Sequence, residues 1–303
     1  MKIAVIFGGS GFVGKSVIRK LLKQGFRIKV ITRDKEKSAF LKTFAAPDFL
    51  TLINWNYQNF DQLDSIISGA DFVVNLVGIL AEENKNDFDR FHTELSKKIA
   101  QKCQEFQVKN LVYVSALGVD KTSKSKYAAS KIAAEKAILE NFSQAIILRP
   151  SIIFGEDDNF FNKFAAMSKT LPILPLINHG QTKFQPIYVE DLAEIISKIP
   201  DHKKLHDKNQ NKIYEIGSDK IYSFKELLQL IGNYCDRRII FINLPFFAAK
   251  ILAFFLEIFT KKILTQDQVE MLKIDNVISE NNFKQDFSIN PKSIAEIVPN
   301  YIK

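Results

Sequence analysis

The segment Phe7-Gly8-Gly9-Ser10-Gly11-Phe12-Val13-Gly14 restricts this chain more than any other. An apolar run, residues 3–7, leads into it, and an amphipathic stretch, residues 12–24, leads out of it. A glycine cluster between a strand and a helix lets backbone N–H groups and the positive end of a helix dipole meet a pyrophosphate. Gly8 suits the tight turn, Gly11 the close approach of a phosphate to the backbone, and Gly14 the packing of helix on strand. Ser10, Phe12 and Val13 belong to the same turn and are expected at the same ligand.

The surrounding pattern agrees with a dinucleotide fold. Runs rich in Val, Ile, Leu and Phe recur at residues 3–7, 28–32, 50–54, 72–76, 111–115 and 145–148, as expected for strands buried on both faces. Helical spacing fills the gaps, notably at 12–24, 88–106 and 125–141. Strand–helix alternation predicts an α/β Rossmann domain over residues 1–150, a doubly wound parallel sheet with helices on both faces. After Pro150 prolines become frequent and strand signals sparse. A smaller, mainly helical region over 151–303, with helices at 224–234 and 248–259, is expected to complete the fold and to face substrate or partner. The polar stretch 201–212 reads as a surface loop.

The second strand ends in Thr32-Arg33-Asp34. An acidic residue here would bond the ribose hydroxyls of NAD, whereas an arginine meets the 2′-phosphate of NADP. Arg33 comes first after the strand, so NADP(H) is the expected cofactor, with NAD(H) as the alternative. Further on, Tyr127 and Lys131 form a YxxxK pair on one face of a helix. An ammonium beside a phenol favours the phenolate, which could exchange a proton with a hydroxyl or carbonyl. Ser115, at the end of the preceding strand, could orient the reacting oxygen, and Lys131 could also hold the ribose.

Composition excludes several classes. With 46% hydrophobic and 25% charged residues, the chain is neither disordered nor collagen-like. Its two cysteines, Cys103 and Cys235, form no CxxC motif and suit a reducing, cytoplasmic compartment. The first apolar run is too short for a secretion signal. The net charge of +8 falls wholly in residues 1–150, while 151–303 is neutral. No basic helix with interleaved aromatics accompanies it, so nucleic-acid binding is not expected. His202 and His206 are four apart beside Asp207, but no third ligand clusters with them, and no metal site is expected.

With these residues placed, the chain resembles the short-chain dehydrogenase/reductase superfamily in its extended, atypical branch. The resemblance rests on the glycine turn, on Asn75-Leu76-Val77-Gly78, on Ser115, Tyr127 and Lys131, and on Arg149-Pro150-Ser151-Ile152-Ile153-Phe154-Gly155. It implies that Asn75 and Gly78 line the cofactor and that Pro150 and Ile153 approach the nicotinamide. Asn56 stands where many relatives carry an Asp near the adenine. The paired serines and Tyr-Gly of sugar epimerases are missing from Val114-Ser115-Ala116-Leu117-Gly118, which argues against nucleotide-sugar epimerisation.

Later segments, residues 154–162, 185–193, 264–269 and 275–277, look like those of the NAD(P)H-binding accessory subunit of respiratory complex I and its bacterial relatives. This resemblance implies tight NADP(H) binding in a structural or regulatory role in or near the respiratory chain. The alternative is an active NAD(P)H-dependent oxidoreductase, or an epimerase- or dehydratase-type enzyme, acting on a small carbonyl or alcohol through Tyr127 and Lys131.

The helix predicted after Pro245 is the second unusual feature. In Phe246–Phe259 only Lys250 and Glu257 are not apolar, and Lys261-Lys262 follow. Such a helix is either core of the small region or in contact with lipid or a partner. It is too short to span a bilayer. The segment 245–262 is therefore the expected contact with complex I or with a membrane surface, and a peripheral place on the inner membrane would follow.

Overall fold

A computed structural model describes the whole chain except Gln58, Ser123, Pro172, residues 203–212, 260–263, 280–281 and Lys303. Its centre is a seven-stranded sheet: β1 (Ile3–Phe7), β2 (Arg27–Thr32), β3 (Leu50–Asn54), β4 (Phe72–Asn75), β5 (Asn110–Val114), β6 (Ile146–Pro150) and β7 (Ile213–Ile216). The order is β7-β6-β5-β4-β1-β2-β3, with every pairing parallel. This is the expected doubly wound sheet. The order reverses between β1 and β4, and in such sheets ligands bind outside the strand C-termini at that reversal. The register sets the site's corners: Phe7 pairs with Ile31 on one side and Asn75 on the other. The glycine turn thus lies between the ends of β2 and β4.

The α-helices are α1 (Phe12–Lys23), α2 (Gln62–Ile67), α3 (Leu95–Glu105), α4 (Lys126–Asn141), α5 (Phe161–Thr170), α6 (Val189–Lys198), α7 (Phe224–Tyr234), α8 (Phe246–Phe259), α9 (Gln266–Met271), α10 (Asn282–Phe287) and α11 (Ile294–Ile297). Two cores flank the sheet, because alternate strand residues point to opposite faces. Ile6, Val30, Val74 and Leu148 pack with Val17, Ile18 and Leu21 of α1 and with Leu192, Ile195 and Ile196 of α6. Val5, Phe7, Val73 and Tyr113 pack with α2, α3 and Ala134 and Ile138 of α4.

The second half of the chain returns to the first. β7 extends the sheet, and α6 lies against α1, tied by Ser16 Oγ to Glu190 (2.6 Å) and Lys20 to Glu194 (3.3 Å). A third core holds Phe154, Phe161, Phe184, Phe224, Leu227, Leu228, Ile231 and Val298. Strands are more frequent here than the sequence predicts. Ile173–Ile177 pairs in parallel with Ile240–Leu244, and two pairs of two-residue strands accompany them. Segments this short carry no usable periodicity. The predicted helix 88–106 begins as a π-helical segment, Asp89–Glu94, before α3. Most of the predicted 201–212 loop, with His206, lies outside the described residues, as do Lys261 and Lys262.

Candidate functional site

The glycine turn is shaped by contacts that exclude side chains. Gly8 has φ +74°, the left-handed region, and a Cβ there would stand 3.1 Å from the Leu76 carbonyl carbon. A Cβ on Gly14 would fall 2.3 Å from the Gly9 oxygen, so α1 can lie this close to the turn only with glycine there. Gly11 donates its N–H to the Gly8 oxygen (3.0 Å) and starts α1 without a side-chain cap. No acidic residue occupies the first turn of the helix. Its leading N–H groups and dipole are therefore available to an anion. The Phe12 ring packs against Gly155, where a Cβ would come within 3.3 Å of it.

At the end of β2, the Thr32 hydroxyl bonds to Ser38 Oγ (2.7 Å) and to the Asp34 carbonyl (3.1 Å), so it shapes the turn. The Asp34 carboxylate is committed to the same turn. It accepts the Lys37 N–H (3.0 Å) and lies 3.4 Å from the Lys37 ammonium. The Lys37 N–H holds that carboxyl below its usual range. Arg33 is exposed, with its guanidinium 5.8 Å from the Phe91 ring centroid. Arg33, Lys35 and Lys42, with Asp34, Glu36 and Asn54, border an open depression of about 460 Å³. Asn56 is exposed one residue after the buried Trp55. Tyr57, at φ +62°, packs its ring on Trp55 (5.0 Å), and burial pushes its phenol up to about 12.

Around β4 and β5 lies the predicted acid/base group. Asn75 is buried, donating to Ser96 Oγ (3.0 Å) and accepting the Val77 N–H (3.1 Å), which fixes the loop carrying Gly78. Ser115 follows β5, and its buried Oγ has no hydrogen-bond partner among the described residues. Ser125 caps α4 by accepting the Ala128 N–H (3.0 Å). Tyr127 is half-buried, its ring edge-on to Phe88 (5.9 Å) and His92 (5.6 Å).

Lys131 is buried. Its ammonium donates to the Val114 carbonyl (3.2 Å) and lies 4.8 Å from the Tyr113 ring centroid. A Cβ on Gly78 would stand 3.3 Å from Lys131 Nζ, so the β4 loop reaches the YxxxK helix. Burial brings the Lys131 amine down to about 7, against the pull of Glu135. Burial, and then the Asp267 carboxylate, push the Tyr127 phenol above its usual value, so it keeps its proton.

The β6 residues hold this region together. Arg149 pairs with the buried Glu135 of α4 through two nitrogens (Nε 3.0 Å, Nη2 2.6 Å) and reaches Asp120 (2.6 Å). The Pro150 carbonyl accepts the Leu117 N–H (2.9 Å), and Ile153 pairs with Ile187. The structure thus brings the glycine turn, Arg33, the β4 loop and the Ser115–Tyr127–Lys131 group to the C-terminal edge of one sheet.

Three residues with no assigned role in the sequence reading organise the site. His92 accepts the Ile79 N–H on Nε2 (3.0 Å), so Nδ1 carries the proton and donates to Ser130 Oγ (2.8 Å), which donates to the Tyr127 carbonyl (2.7 Å). Burial holds this imidazole neutral, down at about 3. Its partner lies on another helix, so no spacing signals it. Asp267, at the start of α9, accepts from Ser125 Oγ (2.7 Å) and from the N–H groups of Lys126 (2.6 Å) and Tyr127 (3.3 Å). Thr265 and Gln268 form a capping box around it, the one local sign of a helix start there. Asn276 donates to the Leu117 carbonyl (2.8 Å) and accepts from Ser151 Oγ (2.5 Å). Both C-terminal residues clamp the loops that carry Ser115 and Tyr127.

A cleft of about 420 Å³ opens between these elements, with Phe88, Lys124, Lys126, Lys250, Glu257 and Asp267 among its walls. Among the described residues no cluster of metal-ligating side chains occurs. The residues present do fit a dinucleotide: a turn that a Cβ would fill, an uncapped helix start and an orphaned buried hydroxyl at Ser115 lie along one edge of the sheet.

The comparisons with known proteins accord with that fit. The sequence model of the NAD dependent epimerase/dehydratase family matches residues 4–217. NADH dehydrogenase (ubiquinone) 1 alpha subcomplex subunit 9, mitochondrial, of Arabidopsis thaliana is 28% identical over 305 residues, covering 96% of this chain and 75% of that protein. The protein of the same name from Mus musculus is 30% identical over 283 residues, covering 91% and 73%. Among solved structures, dTDP-glucose 4,6-dehydratase from Bacillus anthracis in complex with NAD superposes with a TM-score of 0.73. It is 16% identical, covers 100% of this chain and 95% of that one, and shares the fold.

Proposed function

The chain belongs to the NAD dependent epimerase/dehydratase family, and on that premise we propose that it holds NADP(H) tightly as a structural or regulatory component in or near the respiratory chain. The observation that carries this reading is the reach of the likeness to the plant and mouse complex I subunits. It spans over nine-tenths of the chain, so it takes in the C-terminal region as well as the cofactor half. Gly8, Ser10, Gly11, Phe12, Val13 and Gly14 would receive the pyrophosphate. Arg33 would meet the 2′-phosphate, with Thr32 shaping its turn and Asn56 beside the adenine. Asn75, Gly78, Lys131, Pro150 and Ile153 would line the ribose and nicotinamide.

Two local features support the choice of cofactor and role. Asp34, the residue that would favour NAD, has its carboxylate bonded within its own turn, while Arg33 is free to face an anion. Tyr127, the proton donor of the predicted group, is held protonated by burial and by Asp267. A phenol held this way is poorly placed to act as the base that alcohol oxidation needs, which favours a retained cofactor over turnover in that direction. The partner in this reading is respiratory complex I or a membrane surface, the latter met through the 245–262 segment, and the chain is cytoplasmic and peripheral on the inner membrane. Among the described residues no helix is long and apolar enough to cross a membrane.

The reading is tested by tagging the chain at native abundance and solubilising membranes mildly. Co-purification with the other subunits of complex I is the expected result, and recovery free of them counts against it.

The orphaned Ser115 hydroxyl favours a second reading, an active oxidoreductase on a small carbonyl or alcohol. Ser115 would orient the substrate oxygen, Tyr127 would exchange the proton, and Lys131 would draw the phenol toward ionisation. Carbonyl-reducing activity that vanishes in Tyr127→Phe would favour it.

A further inference from the structure

Helix α8 inverts the usual division of a surface helix. Ala249 and Ala253 face inward and are fully buried, whereas Phe247, Ile251, Phe254 and Phe255 stand in solvent, Phe247 at 70% exposure. These four recur at i, i+4, i+7 and i+8, a single stripe along one side; Leu252 is exposed to a lesser degree. The strand that leads into the helix exposes Ile240 and Ile242, and the strand paired with it exposes Ile173. Isolated surface apolar residues are ordinary, but a stripe of four along one side of a helix marks an interaction surface. The helix is about 21 Å long, short of the roughly 30 Å hydrocarbon core of a bilayer. It can lie in an interface but cannot cross one.

The charge beside this stripe narrows the occupant. Lys250 and Glu257 of α8 form one wall of the cleft near Tyr127. Every carboxylate of that cleft is engaged within the protein. Glu82 accepts the Phe88 N–H (3.1 Å), Glu257 the Gln266 N–H (2.7 Å), and Asp267 the start of α4 (2.6 Å to Lys126 N). Glu270 pairs with Lys250 and with Lys273 (2.9 Å). Lys124 and Lys126 stand in the same cleft, exposed, with no ion-pair partner among the described residues. These two exposed ammonium groups share a cleft with Lys250 and Glu257 of the helix that carries the apolar stripe, and Lys261-Lys262 follow it in the sequence. That combination complements an anionic headgroup layer over acyl chains.

We propose that α8 lies in the headgroup–acyl boundary of an anionic phospholipid bilayer, with Phe247, Ile251, Phe254 and Phe255 among the acyl chains and a headgroup phosphate on Lys124 and Lys126. This rests on the docking half of the functional reading and is independent of the dinucleotide. It assigns the exposed face to lipid rather than to protein.

The test is co-sedimentation of the full chain with vesicles of phosphatidylcholine alone and with added phosphatidylglycerol. Binding to the anionic vesicles is expected, and Phe254→Ser/Phe255→Ser should abolish it without lowering the melting temperature, since both side chains are solvent-exposed. Lys124→Gln/Lys126→Gln should weaken binding to anionic vesicles about thirty-fold, at about a factor of five for each basic residue at such a surface, and leave binding to phosphatidylcholine unchanged. Equal sedimentation of the native and Phe254→Ser/Phe255→Ser proteins overturns the proposal. An undiminished anionic preference in the lysine variant overturns the headgroup assignment. A dimer in sedimentation velocity that Phe254→Ser dissolves, with no vesicle binding, assigns the face to a second copy instead. Failure to co-purify with complex I, with vesicle binding intact, removes the partner reading and leaves this one standing.

Discussion

Helices α1 and α8 are nearly equal in length, 12 and 14 residues, and they are completed by different things. α1 buries Val17, Ile18 and Leu21 against the sheet and offers its uncapped N-terminus to a ligand. α8 buries two alanines beside a part-buried Phe246 and gives Phe247, Ile251, Leu252, Phe254 and Phe255 to solvent. The sheet half of the molecule is finished by β7 and α6 from the later chain, and it leaves one cradle open to a small ligand. The second half leaves one apolar face of α8 exposed. The cradle and the exposed α8 stripe lie on different elements, so a single stripe side chain can be changed without touching the contacts of the glycine turn.

The largest effect is expected at Gly14. Gly14→Val places side-chain atoms where even a Cβ would stand 2.3 Å from the Gly9 oxygen. The purified variant should carry no dinucleotide by nucleotide release and melt far below the parent; retained cofactor would move the cradle elsewhere. Leu21→Ala, in the core behind α1, should cost about 2–5 kcal/mol in denaturant unfolding.

Next in size is Arg33→Ala, which removes a charge-assisted contact of about 1.5–3 kcal/mol. NADPH affinity by titration should fall tenfold or more while NADH affinity holds; equal affinities in the parent would break the assignment to NADP(H). Lys131 gives a pH-dependent comparison. Its amine is lowered to about 7 by burial, against 10.5 for the unfolded residue. Between these values the unfolded chain binds the proton and the folded chain does not, so stability rises with pH across that window. Lys131→Met should therefore raise the melting temperature most below pH 7, with the gain fading toward pH 10.5.

The smallest effect is expected on α8, where Phe254→Ala should change unfolding free energy by no more than about 0.5 kcal/mol. A loss as large as that of Leu21→Ala would erase the contrast between the two helices.

Much of this was legible before the structure because the strands are buried on both faces. β1 and β4 read as nearly continuous apolar runs, and the glycine turn stands in the one context that gives it meaning. β7 was not legible, since four residues after a polar stretch carry no period. His92 escaped because its partner Ser130 lies 38 residues away, a pairing made only by the packing of neighbouring helices. Asp267 belongs to a stretch noted only for its likeness to relatives, and its work on the start of α4 appears only in three dimensions. For α8 the sequence exposed the excess of apolar residues but not which side they take, because alanine and phenylalanine both count as apolar while differing in what they can bury. Thr32 shows the converse: it stands at the predicted place, yet its hydroxyl shapes the turn.

The central claim, retention of NADP(H) without rapid turnover, is tested most directly on the native chain. The protein is purified without added nucleotide, its bound nucleotide is released and quantified, and the same preparation is assayed against a panel of carbonyl substrates. Close to one NADP(H) per chain, with no turnover, is the predicted result. An empty site that binds NAD(H) and NADP(H) alike, or steady carbonyl reduction abolished by Tyr127→Phe, would contradict it.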